Sequence, residues 1–241
     1  MPLDDGLTQQ QGMLLIRESD SAKHLIAYGV QAMRTAALQE STRDPVLTML
    51  SIGVEKVLKL SLGLVHLADS RTWPSKAVFI AHRHNIVDMD RTLREQIRAR
   101  ASLATHRGCV DNFLDAVDHD PIWPEAAAAL NAYGQQGRFY WLDALSGSPQ
   151  PDDTPVGYWE NVFNTARDAS PELTALFHEA FKSNEAHVEY MLRLNHAAAD
   201  SIEQWWAMVA MAGMQGVFGE RGKSWGLDQH IVPRQVRDTP D

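Results

Sequence analysis

PVLTMLSIGVEKVLKLSLGLVHL, residues 45–67, is a nearly continuous apolar stretch that decides the fold of this chain. Only Glu55, Lys56 and Lys59 are charged within it. Asp44 and Pro45 suit a helix start, as a capping residue and as a first-turn residue whose missing N–H does no harm. The stretch therefore predicts a helix through the centre of the fold. Its charges must be paired or used, because an unpaired buried ion is strongly unfavourable.

The rest of the chain also has helical patterns, so we predict an all-α protein. No alternation of Val, Ile and Thr with a period of two runs for more than a few residues. We expect helices over about residues 21–40, 45–69 and 84–108, and two shorter helices within 111–143. A long helix capped by Ser170 and a last apolar helix with Trp205 and Trp206 complete the prediction.

Composition divides the chain into four parts. We predict a helical bundle over residues 1–145 and a loop over 146–158, where the sequence is rich in Pro, Ser and Asp. C-terminal helices over 159–215 are expected to pack on the bundle, and residues 216–241 are expected to form an irregular tail. The tail is predicted to be irregular because glycine breaks helical order, and glycines recur at positions 213, 216, 219, 222 and 226.

Length and composition favour a cytoplasmic protein. A chain of 241 residues that is 44% apolar can bury one large core. Its single cysteine, Cys109, excludes an internal disulfide and suits a reducing compartment. No basic segment leading into an apolar run marks a signal peptide at the start of the sequence. The charges within 45–67 favour a buried helix over a membrane span. We expect neither a membrane partner nor a cofactor.

Positive charge is concentrated in one part of an acidic chain. Residues 71–107 contain eight Lys and Arg against three acids, which is +5 locally in a chain of net charge −9. At about 100° per residue, Arg91, Arg94 and Arg98 fall within an arc of roughly 60° on the third predicted helix. Arg100 falls on the apolar side of the same helix. That position predicts a buried acidic partner, a subunit interface or a helix that frays at this point.

The sequence contains no pattern typical of a metal site or a catalytic nucleophile. His82 and His84 lie two residues apart, and His187 and His196 nine apart, so neither pair points to one side of a helix. No His-Glu-x-x-His or Gly-x-Ser-x-Gly occurs, and nothing activates Cys109 beyond the neighbouring His106 and Arg107. The tail glycines lack the strand-to-helix setting of a phosphate-binding loop.

A short pattern connects the central helix to the next one. The central helix has Glu-Lys-x-x-Lys, and His-Asn-Ile follows after a loop; the matching residues are Glu55, Lys56, Lys59, His84, Asn85 and Ile86. Over about residues 20–145 this resembles HEPN-like helical domains, which occur in toxin–antitoxin, phage-defence and nucleotidyltransferase-linked proteins. The resemblance implies an up-down bundle with added C-terminal helices that forms a homodimer and binds RNA or a nucleotide. The binding residues would be Glu55, Lys59, His84, Asn85, Arg91, Arg94 and Arg98.

Active members of that family are metal-independent endoribonucleases with an Arg followed four to six residues later by a His. Arg17 with His24 and Arg100 with His106 fit this spacing. Position on the helix that opens with His84 favours Arg100 and His106, although Ala101 stands where the family commonly has a polar residue. His106 would then move a proton and Arg100 would neutralise the phosphorane. A homodimer would supply the second His.

Structural roles are open for the same residues. Glu55 and Lys59 are spaced as a favourable i,i+4 pair, and His84 would close a polar cluster that fixes helix packing. Arg138 to Trp141 is typical of an aromatic cluster at the edge of a core as well as of a base-stacking platform. The alternative function is a non-catalytic helical interaction protein with Trp205 and Trp206 at its partner surface.

Overall fold

The computed structural model describes residues 6–36, 39–148 and 154–230, and within these ranges the chain is helical with no strand. The all-α prediction is confirmed. The helices are α1 (Gln9–Thr35), α2 (Gln39–Ser70), α3 (Lys76–His82), α4 (Ile86–Arg100), α5 (Arg107–Asp118), α6 (Ile122–Gln135), α7 (Tyr140–Leu145), α8 (Pro155–Ala169), α9 (Pro171–Glu179), α10 (Asn184–Met214) and α11 (Gly219–Gln229).

The apolar stretch forms α2, which packs against α1, α4, α6 and α11. Its side chains at Leu47, Leu50 and Val54 are fully buried. Two glycines bring α1 and α2 close together. A Cβ added to Gly29 would lie 2.7 Å from the Leu50 side chain, and one added to Gly53 would lie 2.7 Å from Ile26. The predicted central helix is therefore central, and its contact with α1 depends on small residues.

A second long helix, α10, also runs through the interior. It packs against α1, α5, α6, α8, α9 and α11. The hydrophobic core extends without interruption from Leu15 of α1 to Trp225 of α11. Trp205 and Trp206 are fully buried in it. The prediction that these two residues form a partner surface is therefore wrong, because the helix that carries them is enclosed by its neighbours.

Several helix boundaries differ from the sequence prediction. The second helix begins at Gln39 and runs through Pro45, with one intrahelical hydrogen bond unmade at the proline. The third predicted helix ends at Arg100 and is followed by a short 3₁₀ turn, while Gly108 lies inside α5 instead of ending a helix. The loop before His84 contains the additional helix α3, which buries no side chain.

The predicted irregular tail is helical over Gly219–Gln229. Gly216 and Gly219 have positive φ angles at the turn between α10 and α11, whereas Gly222 and Gly226 are packing positions within α11. A Cβ added to Gly226 would lie 2.6 Å from the Ala210 carbonyl oxygen, so α11 approaches the α10 backbone more closely than a larger residue allows. Helix α8 begins at Pro155, within the predicted 146–158 loop, behind a Thr154 cap. Residues 149–153 of that loop and 231–241 of the tail lie outside the described residues.

Of the helices in the described ranges, none combines the length and the apolar character needed to cross a membrane.

Candidate functional site

The arginine stripe of α4 is paired along its length. Arg91 Nη2 lies 2.7 Å from Asp88 Oδ1. Arg94 Nη2 lies 2.9 Å from Asp90 Oδ2, and its Nη1 lies 2.8 Å from Asp118 Oδ1 of α5. Arg98 also contacts Asp118. The opposite face of α4, formed by Met89, Leu93 and Ile97, is buried as its spacing predicts. The structure thus brings the three predicted binding arginines together, with a carboxylate on each.

Asp90 is the centre of this arrangement. It is 2% exposed, and its Oδ1 accepts a hydrogen bond from Trp205 Nε1 at 2.8 Å. Its Oδ2 accepts from Trp123 Nε1 at 3.2 Å and from Arg94 Nε at 3.0 Å. The two indole rings stack with their centroids 4.5 Å apart. Asp90 is therefore a buried carboxylate with its hydrogen bonds satisfied, which locks α4, α6 and α10 together.

These pairs shift the pKa values of their members. Burial tends to raise the pKa of Asp118, but hydrogen bonds from Arg98 and Arg94 outweigh burial and lower it. Burial likewise tends to lower the pKa of Arg94, while the charge of Asp90 and the bonds to Asp118 raise it. Both shifts favour the charged pair. The guanidinium groups are thus committed to carboxylates of the same chain.

Glu55, Lys59 and His84 form the polar cluster that their spacing suggests. Lys59 Nζ lies 2.6 Å from Glu55 Oε1, and His84 Nδ1 lies 2.9 Å from Glu55 Oε2. Glu55 is almost covered, while His84 is exposed. The cluster holds the segment before α4 against α2. Asn85 caps α4 by accepting from the Asp88 N–H at 3.1 Å.

Arg100 lies at the junction of three elements. Its Nη1 is 2.6 Å from Asp69 Oδ1 at the end of α2, and its Nε donates to the Val217 carbonyl at 2.9 Å. The side chain is only 14% exposed, which agrees with its predicted place on the apolar side of α4. Its partner is thus an acid, but not the buried acid that is one of the three predictions, because the Asp69 side chain is 59% exposed.

His106 is hydrogen-bonded to the same turn through its backbone. Its backbone N–H donates to Gln215 Oε1 at 2.9 Å, and the Thr105 N–H donates to the Gln215 carbonyl at 2.8 Å. The structure thus ties both predicted catalytic residues to the turn between α10 and α11. The His106 ring is exposed and makes no hydrogen bond with any described residue. A catalytic role for the pair stays a prediction.

Arg100 opens onto a cavity of about 490 Å³. Three arginines and two acids line it together with apolar side chains; the charged residues are Arg71, Arg100, Arg221, Asp69 and Glu220. The first turn of α11 forms one wall, and its cap position, Phe218, has no side chain that could accept from the first N–H groups. These N–H groups carry the positive end of the helix dipole. Sequence reasoning missed Arg221 because it fell in the predicted tail.

No group of three or more His, Cys, Asp or Glu side chains in the described part of the chain is arranged to hold a metal ion.

Comparison with known proteins gave no match to a family model, a curated protein or a solved structure. The HEPN-like resemblance therefore stays a prediction.

Proposed function

We propose that this protein binds RNA or a nucleotide, as the HEPN-like resemblance implies, and that the arginine-lined cavity, which the resemblance does not predict, holds the phosphate. The observation that carries the proposal is the convergence of Arg71, Arg100 and Arg221 on one cavity of about 490 Å³. That volume lies within the range typical of small-molecule sites. Guanidinium groups are well suited to phosphate because their donors match its oxygens in pairs.

Arg100 supports the proposal most directly. Its two internal partners, Asp69 and the Val217 carbonyl, fix the guanidinium at the cavity wall. Such fixing lowers the entropy lost when a ligand binds. Arg71 and Arg221 have interactions of their own within the protein. The contacts of Arg100 use its Nε and Nη1, and within the described residues its Nη2 is left to donate to a ligand.

Calorimetric titration with inorganic pyrophosphate tests the phosphate site. We expect Arg100→Gln and, independently, Arg221→Gln to weaken binding about tenfold or more, since each removes a charged donor. Arg91→Gln is the matched control, because Arg91 is paired with Asp88 away from the cavity. A wild-type protein that fails to bind pyrophosphate, or an equal loss in the control, contradicts the proposal.

Cleavage of RNA is a separate part of the proposal. If Arg100 and His106 act as the family signature implies, His106→Ala should abolish cleavage of an RNA substrate while leaving pyrophosphate affinity unchanged. This separation is expected because His106 does not line the cavity. Unchanged cleavage by the variant ends the ribonuclease hypothesis and leaves the binding proposal standing.

A second candidate function, a non-catalytic helical interaction protein, is favoured by the segment 139–145. Phe139, Trp141, Leu142 and Leu145 are all exposed there, Leu145 by 86%. Contiguous exposed apolar residues are typical of protein contact sites. A cavity of about 180 Å³, lined in part by Tyr140 and Pro155, lies beside them. A projecting side chain and a cavity on one patch suit a two-fold contact between identical chains, so we propose a homodimer through this surface.

Sedimentation velocity over a range of concentrations tests the homodimer. Leu145→Asp should convert a dimer to a monomer, because it buries a charge in the contact. Leu227→Asp is the control, since Leu227 is exposed on α11, outside the segment 139–145. A wild-type protein that is monomeric at every concentration overturns this candidate.

A further inference from the structure

Helix α3 lies on the surface of the protein and presents apolar side chains to solvent. It buries none of its seven residues. Four of them are both apolar and exposed: Ala77, Val78, Ile80 and Ala81. Phe79 is partly covered, and the centroid of its ring lies 6.1 Å from that of Trp73. Contiguous exposed apolar residues are typical of contact sites.

The apolar surface continues from α3 into a small pocket. Trp73, the ring neighbour of Phe79, also lines a pocket of about 150 Å³ between the N-terminal part of α1 and α2. The rest of its lining consists of four leucines, Gln11 and Glu18. One of these leucines, Leu14, is 52% exposed. A lining of this kind favours a hydrocarbon group, which leaves water on binding and requires no hydrogen bond.

Positive charge accompanies this apolar surface. Residues 71–87 include no acid, although the chain has a net charge of −9. Lys76 at the start of α3 and Arg83 directly after it are exposed, and neither has a carboxylate partner in the described part of the chain. Glu18 at the pocket and Glu55 on α2 each have a lysine partner, at 2.8 Å and 2.6 Å. The surface therefore attracts an anionic partner.

The arrangement of the apolar side chains favours a lipid surface over a protein. At about 100° per residue, Val78 and Ile80 point to nearly opposite sides of α3. A groove on a protein holds one stripe of a helix, whereas the boundary between headgroups and acyl chains surrounds a helix that projects into it. Lysine and arginine side chains extend from such a helix to the level of the headgroups. Anionic headgroups then complement their charge.

We infer that α3 and the adjoining pocket dock onto an anionic phospholipid bilayer, with Val78 and Ile80 among the acyl chains and Lys76 and Arg83 at the headgroups. A helix that lies on a bilayer does not need the length of one that crosses it. The expectation of no membrane partner rested on the charges of α2, which argue only against a crossing helix. The inference is independent of the proposed function.

Flotation of the full chain with phospholipid vesicles tests the inference. The vesicles contain phosphatidylcholine alone or phosphatidylcholine and phosphatidylserine in equal parts. We expect binding only to the mixed vesicles, and weaker binding at high salt, which screens the headgroup charge. Ile80→Asp should weaken binding about tenfold or more, because it replaces an apolar contact with a charge that the headgroups repel. Leu227→Asp is the matched control, since Leu227 is 63% exposed on α11, and it should bind like the wild type.

The two cations give a graded effect. Lys76→Gln and Arg83→Gln should each weaken binding to the mixed vesicles about fivefold, since each removes one charge from the headgroup layer. Lys182→Gln, at an exposed lysine next to α9, is the control and should have no effect. Absence of binding to the mixed vesicles, or equally tight binding without phosphatidylserine, overturns the inference.

Mixed vesicles with brominated acyl chains test contact at the pocket, because bromine quenches an indole only at short range. Trp73→Phe should lose much of the quenching that vesicles cause in the wild type. Trp141→Phe, at an exposed indole outside this surface, should keep it. Equal quenching in both variants contradicts the inference. Self-association without vesicles that Ile80→Asp abolishes would assign the surface to a second copy of the chain, and the inference would be wrong.

Discussion

Two sets of arginines lie close together in this protein and behave differently. Arg94 and Arg98 on α4 are bound to Asp90 and Asp118, in a network that reaches the centre of the core. Arg100, at the end of the same helix, is bound to the exposed Asp69 and lies on an open cavity. The difference lies in the carboxylate. The buried Asp90 ties Arg94 to the core, and Asp118 holds both Arg94 and Arg98. The partner of Arg100, Asp69, is 59% exposed and lies at the cavity.

The comparison also separates two consequences of positive charge in an acidic chain. Residues 71–107 are strongly basic by count. Much of that charge is cancelled one residue at a time by acids that the fold brings alongside. Arg71 and Arg100 of this stretch also share a concave surface with Arg221.

The largest expected effect comes from breaking the buried network at Asp90. Asp90→Ala removes the acceptor of two indole N–H groups and a partner of Arg94, so we expect a loss of about 3–5 kcal/mol in the free energy of unfolding. Urea denaturation followed by circular dichroism measures it. Asp115→Ala, at an exposed acid on α5, should change stability little. A loss at Asp90 no larger than in that control would show that the network is not stabilising.

A smaller effect is expected at the cavity wall. Gly226→Ala places a Cβ against the Ala210 carbonyl, so α11 must move, at a cost of about 1–3 kcal/mol. Because α11 also lines the cavity, pyrophosphate affinity should fall as well. Gly108→Ala is the matched control, since its new Cβ would meet nothing within 4 Å and alanine favours a helix. Thermal denaturation measures the stability, and calorimetry measures the pyrophosphate affinity. An unchanged affinity would show that the position of α11 does not affect binding in the cavity.

Acid pH should weaken the ion pairs that Arg94 and Arg98 of α4 make with Asp118. The pKa of Asp118 is lowered in the folded protein, so its ion pairs contribute stability above the unfolded-state pKa of about 4. That contribution is lost as pH falls through the folded-state pKa. Arg98→Gln removes one cause of the shift and should make stability less dependent on pH below about pH 4. Denaturation at a series of pH values checks this; identical pH profiles would contradict it.

The smallest effect is expected at the exposed end of the stripe. Arg91→Gln breaks an ion pair between two exposed side chains, which contributes no more than about 0.5 kcal/mol. High salt should reduce even that difference, because it screens exposed charges. Chemical denaturation at two salt concentrations measures it. A loss comparable to that of Asp90→Ala would remove the distinction between buried and exposed partners.

The sequence predicts what local spacing controls. The continuous apolar run identifies α2 as central, and the i,i+4 spacing identifies the Glu55–Lys59 pair. The helical angle of Arg100 places it on the apolar side of α4, where its side chain is 14% exposed, but leaves the kind of partner open. One further signal was present. On the same helical projection Asp90 falls about 20° from the buried Ile97, which marks it as a buried acid.

Contacts between distant segments could not be predicted in this way. The indole partners of Asp90 lie 33 and 115 residues away along the chain, on α6 and α10. The pairing of Arg94 and Arg98 with Asp118 depends on how α5 folds back on α4. A glycine in the predicted tail can either end a helix or allow two helices to pack closely, and the sequence is compatible with both roles. The close-packing role becomes evident only once α10 is known to lie against these glycines.

The stacked pair of Trp123 and Trp205 gives the molecule an optical reporter of its own. Two indoles in face-to-face contact couple their electronic transitions, which produces paired bands of opposite sign in circular dichroism. Both rings donate to a single carboxylate, so the signal follows the integrity of that one contact and not merely helix content. Loosening of the interior can thus be observed without any added label, even in a state whose helices persist.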